Sequence, residues 1–100
     1  MMQIIPLQPL SQTFDIELDG YQLRFEMFFD QNLERWQTNI ENVSLGKRVD
    51  GIQMNVSIDL LAAASILDLQ VLMLINLEGA FNEATVTSLG TDHKLVYMDI

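Results

Sequence analysis

The sequence predicts a mainly β fold, a small antiparallel barrel or sandwich of about six strands with one short helix, formed as a single domain over residues 1–100. Three observations predict it. Apolar and polar residues alternate one for one along 13–29 and again along 36–40 and 52–58, the period of a half-buried strand. An Asp19-Gly20 pair divides the first alternating run, and Asp-Gly between such runs favours a two-residue hairpin with positive φ at both central positions. Helix-forming composition is confined to one stretch, "IDLLAAASILDLQ".

The first hairpin can be tested by its register. A two-residue loop at Asp19-Gly20 sets Leu18 opposite Tyr21, Ile16 opposite Leu23 and Phe14 opposite Phe25, all on one face. Asp15 then faces Arg24 on the other side, an attractive cross-strand pair. A one-residue slip would set each apolar row against a polar one.

The same test extends to "EMFFDQNLERWQTNIEN". Pairing Phe29 with Trp36 sets Met27 against Thr38 and Phe25 against Ile40. Asp30 meets Arg35, and Arg24 falls between Asp15 and Glu41 across three strands. "QNLE" carries no glycine to fix a turn type, so this register rests on the match of faces. The expected core is therefore Trp36, Phe25, Phe29, Ile40 and Tyr21. A tryptophan used as a base-stacking platform would need a basic groove beside it, and none is visible.

Residues 42–51, with two glycines, read as a loop. "GIQMNVSI" follows as a fourth strand. "IDLLAAASILDLQ" reads as a short helix with Asp59 at its N-cap. The run from Val71, ended by Gly79, fits a strand covered on both faces or the end of that helix, and strand is favoured. "AFNEATVTSLGTD" reads as loop with one turn of helix, and "HKLVYMDI" as a last strand apolar on both sides.

Composition narrows the function classes. Fourteen acidic residues against five basic give a net charge of -9, and the one adjacent basic pair is Lys47-Arg48, so no specific nucleic-acid partner is expected. With no cysteine, neither a disulfide framework nor a thiol nucleophile is available. The start "MMQIIPLQPL" lacks a basic region and is broken by Pro6 and Pro9, so it is not read as a signal peptide. Asp59, Asp68 and Gln70 interrupt the longest apolar stretch, so no membrane span is expected either.

Chemistry is sparse. His93 is the single histidine, which excludes His-clustered zinc sites; Ser88 lies near it without a nucleophile-elbow pattern, and His93 reads as a strand residue. Asp15, Glu17 and Asp19 alternate on a polar strand face, without the spacing of a calcium loop. No enzyme activity and no cofactor is expected. What stands out is apolar excess over residues 58–77 and the last strand. Large apolar patches mark interfaces, which makes Leu60, Leu61, Ile66, Leu67 and Leu72 the expected contacts with another subunit.

Four segments together resemble the baseplate plug proteins of contractile-tailed bacteriophages. These are "IIPL" leading into "QTFDIELDGYQLRFEM", then "ERWQTNIEN", "GIQMNVSIDLL" and "TSLGTDHKLVYM". The stretch "AAASILDLQVLMLINL" departs from the glycine-rich approach expected after Asp-Leu-Leu. The resemblance implies a structural virion protein, made in the host cytoplasm and seated in the tail baseplate at the distal end of the tail tube. Tail-tube and hub proteins would be its partners, in a trimer or hexamer. A competing expectation is a small-ligand-binding β-barrel; an oligonucleotide-binding barrel is opposed by the charge.

Overall fold

The computed structural model describes residues 2–77 and 82–99. Where alternation is strict, strands form and pair as their apolar faces require. The described strands are β1 (Met2–Ile5), β2 (Gln12–Leu18), β3 (Tyr21–Asp30), β4 (Arg35–Asn42), β5 (Lys47–Gln53), β6 (Val71–Asn76) and β7 (His93–Met98). They make two antiparallel sheets, ordered β2-β3-β4-β5 and β1-β7-β6. Both sheets contribute to one core, so the arrangement is a sandwich and not a closed barrel.

The two hairpins have the expected registers. Leu18 pairs with Tyr21, Phe14 with Phe25 and Asp15 with Arg24; Phe29 pairs with Trp36, Met27 with Thr38 and Arg24 with Glu41. Asp19 and Gly20 have φ of 53° and 80°, the two positive angles that a type I′ turn demands. In the β3–β4 loop Asp30 does what no glycine is there to do. Its Oδ1 accepts from the backbone N–H of Asn32 (2.9 Å) and Leu33 (3.2 Å), an Asx-type turn.

The fourth strand lies earlier than expected. The loop at 42–51 shrinks to a turn at 43–46, and β5 begins at Lys47. Gly51 does not open the strand but sits at a bulge within it, where its N–H donates to Asn39 Oδ1 at 2.9 Å. Beyond Gln53 the chain leaves this sheet for the other one. Val56 bridges to Leu74 and Asp59 to Met73, so residues 54–58 link the sheets instead of prolonging one strand.

The expected helix reduces to a single 3-10 turn, Ser65–Leu67, ended by Asp68 in a left-handed conformation. Asp59 explains this. Its Oδ1 accepts from Leu61 N–H (3.0 Å) and from Leu72 N–H (3.2 Å), while Leu60 N–H donates to Leu72 O (2.7 Å). Bonds to β6 replace those of a helix, and alanine propensity yields to them. The open choice at Val71 is thereby a strand. The expected stop at Gly79 and the opening of the next loop at Ala80-Phe81 lie outside the described residues; 82–85 is irregular, and 86–92 forms turns around a bridge at Leu89.

Trp36, Phe25 and Ile40 are buried in the core, with Tyr21 and Phe29 half-buried against it. Four of the five leucine and isoleucine positions expected to meet another subunit are also inside. Leu60, Leu61, Leu67 and Leu72 belong to the chain's own core, because bonds to β6 and to Asn42 at the end of β4 draw the 59–69 segment onto it. Ile66 alone of the five points out, 55% exposed.

Candidate assembly surface

Each sheet turns one face to the core and one outward, and the two outer faces differ. On β2-β3-β4-β5 the outward positions are polar, apart from Phe28 opposite Gln37, and knit across strands. Arg24 Nε donates to Asp15 Oδ1 at 2.9 Å, and its Nη1 lies 4.0 Å from Glu41 Oε1. Arg48 bonds Asp50 Oδ1 at 2.5 Å and also Glu26, which accepts in addition from Asn39 Nδ2 at 3.2 Å. The hydrogen bond from Arg24 holds the Asp15 carboxyl below its ordinary value, and the bond from Arg48 does the same for Glu26. With Glu17 and the Asp30–Arg35 pair at its end, this face carries six carboxylates against three guanidinium groups. It is an acidic wall.

On β1-β7-β6 the outward rows read differently. Met2, Met98 and Val71 form one row, and Ile4, Val96 and Met73 the next; Ile75 stands opposite Lys94 in the third. Met2 and Ile4 are 65% and 55% exposed. The expected apolar surplus is real, but it lies here and not in the 60–72 segment. Its signal was the run of apolar residues on both sides of β7.

Where the sheets meet, two tyrosines bond carboxylates. Tyr21 Oη donates to Asp68 Oδ2 at 2.6 Å. Tyr97 Oη donates to Asp19 and accepts from Gln70 N–H at 2.9 Å. Burial first, then the bond to Asp19, pushes the Tyr97 hydroxyl up to about 12. These bonds fasten the β2–β3 turn to β7 and to the 68–70 segment. Among the described residues no group of His, Cys, Asp and Glu side chains is arranged to hold a metal ion.

His93 is buried, with Nε2 bonded to Asn82 O at 2.7 Å and Nδ1 without a partner. Ser88 Oγ accepts from Thr85 N–H at 2.8 Å. The serine and the histidine side chains thus spend their bonds on backbone, not on each other. Between the sheets, Phe25, Trp36, Leu67 and Leu95 fill the space a ligand-binding barrel would keep open. A cleft of about 550 Å³ lies outside, between the β3–β4 loop and residues 83–86, lined by Phe29, Glu34, Arg35, Glu83, Thr85 and Val86 among others. No described helix is long and apolar enough to cross a membrane.

A family model described as cyanophage baseplate Pam3 plug gp18 matches residues 2–100. No curated protein matches the chain.

Proposed function

The chain belongs to the cyanophage baseplate plug family, and from that premise we propose that it closes the distal end of a phage tail tube and joins it to the hub until infection. The observation that carries this reading is the span of the family match, residues 2–100. It is a structural role, in which surfaces and not reacting groups do the work. Two unlike outer faces support it, since a subunit seated between a lumen and protein neighbours needs one face for each.

Partners in this reading are tail-tube and hub proteins, and the copies form a trimer or hexamer set by the symmetry of the ring they sit on. The acidic wall faces the passage, where Asp15 and Glu17, with Asp19 at the adjoining β2–β3 turn, repel DNA phosphates. Neutralising these three to Asn and Gln should lower DNA retention in assembled tails. Unchanged retention would end the electrostatic part of the proposal.

The decisive test is solution mass by light scattering after size exclusion, for the chain alone and mixed with the tail-tube or hub protein. A closed oligomer or a mixed complex is expected. A monomer that ignores both proteins would overturn the reading.

A further inference from the structure

Val96 is 2% exposed yet stands outside the cluster that forms the core, because it is on the far side of its sheet. Its register neighbours there are Ile4 and Met73. None of the three outward rows contains a carboxylate, in a chain with fourteen. The one cation among them, Lys94, is turned aside, its Nζ donating to Gly90 O at 2.5 Å. Carboxylates stand around the face instead. Asp59 is bridged to Met73 on one side, and Asp92, exposed, adjoins one end of β7.

We propose that this outer face of β1-β7-β6 docks a different protein of the baseplate, one whose contact area is apolar at its centre and carries Lys and Arg around it. The proposal rests on the plug reading above and names the partner chemistry for it. Two arguments shape that partner, and the second selects it over another copy.

The first is area. Three strands about 4.8 Å apart and about five residues long present about 250 Å². Two copies meeting only here would bury about 500 Å², short of the 1,000 Å² or more of a stable interface. The partner must therefore reach past the apolar rows onto their rim. The second argument is charge. That rim is acidic and each chain carries -9, so a second copy meets repulsion where a basic rim finds complement.

The chain has no cysteine, so Ile4→Cys places a single thiol on the face, at a position exposed enough to spare the fold. In tails assembled with this variant, maleimide labelling should be at least tenfold slower than in the free chain. A maleimide-linked photocrosslinker at the same position should capture a peptide of another baseplate protein, apolar with Lys or Arg close by. Equal labelling in tails and free chain overturns the docking face, as does capture of a second copy of this chain. Absence of the chain from purified tails overturns the plug reading itself.

Discussion

The side-chain amide of Asn42 donates to the carbonyl oxygen of Leu67 across 2.9 Å, joining residues 25 positions apart. Asn42 is fully buried at the end of β4, and its Oδ1 also accepts from Leu45 N–H at 3.2 Å. One side chain thus shapes the β4–β5 turn and holds the 3-10 turn in place. Asn42→Ala strands a buried carbonyl, so it should cost about 2–3 kcal/mol. Urea unfolding should show an earlier midpoint with the slope unchanged.

The segment that Asn42 anchors gives a second test. Leu67 is 0% exposed and its neighbour Ile66 is 55% exposed. Leu67→Glu buries an unpaired charge and should abolish the cooperative unfolding transition. Ile66→Glu should change stability by no more than about 0.5 kcal/mol. A soluble, folded Leu67→Glu chain would return this segment to the surface.

Gly90 lies at φ +82°, and a Cβ there would come within 2.2 Å of Leu7 O. Gly20 has a similar angle, φ +80°, with open space around it. Gly20→Ala should therefore cost only the left-handed backbone, about 1 kcal/mol. Gly90→Ala must also push the Leu7 backbone away, and should cost about 3 kcal/mol or more. Paired thermal melts would separate the two.

Acid should act through the ion-pair lattice. Asp15 titrates below 3.8 because Arg24 bonds its ionised form. A lowered carboxyl stabilises the fold above its unfolded value and loses that effect as pH falls through its folded value. Arg24→Gln should therefore melt lower than the parent at pH 7. The gap should close below pH 3.8, as Asp15 takes up its proton.

Alkali should act through Tyr97. Its hydroxyl titrates near 12 in the fold against an ordinary 10.0, so its stabilising effect is whole below pH 10 and declines as pH rises towards 12. Phenolate absorbance should show Tyr97 ionising after Tyr21, which its bond to Asp68 also raises, and together with unfolding. Tyr97→Phe should remove that late step. At neutral pH it should cost about 1–2 kcal/mol, for the lost bonds to Asp19 and Gln70.

The β2–β5 meander was legible because two independent signals agreed there. Alternation named the buried faces, and Asp19-Gly20 set the register that put Arg24 between Asp15 and Glu41. The strand at Met2–Ile5 was not legible, since it has no alternation of its own and exists by pairing with β7. The 59–69 segment misled for a different reason. Its alanines and leucines have helical propensity, but whether Asp59 caps a helix or binds β6 depends on a strand twelve residues away in sequence. The apolar surplus was legible as an amount. Its location required knowing which side of β7 met the core.

The placing of β7 between β1 and β6 bears on how the chain is made. A polypeptide translated as far as Asp92 already holds the four-stranded meander, built from hairpins that close over short loops. It also holds both flanking strands of the second sheet, with nothing between them. Pairing across so long a separation is slow, and unpaired apolar strands invite aggregation meanwhile. The solubility of newly made protein is therefore set by how quickly residues 93–98 reach the gap that waits for them.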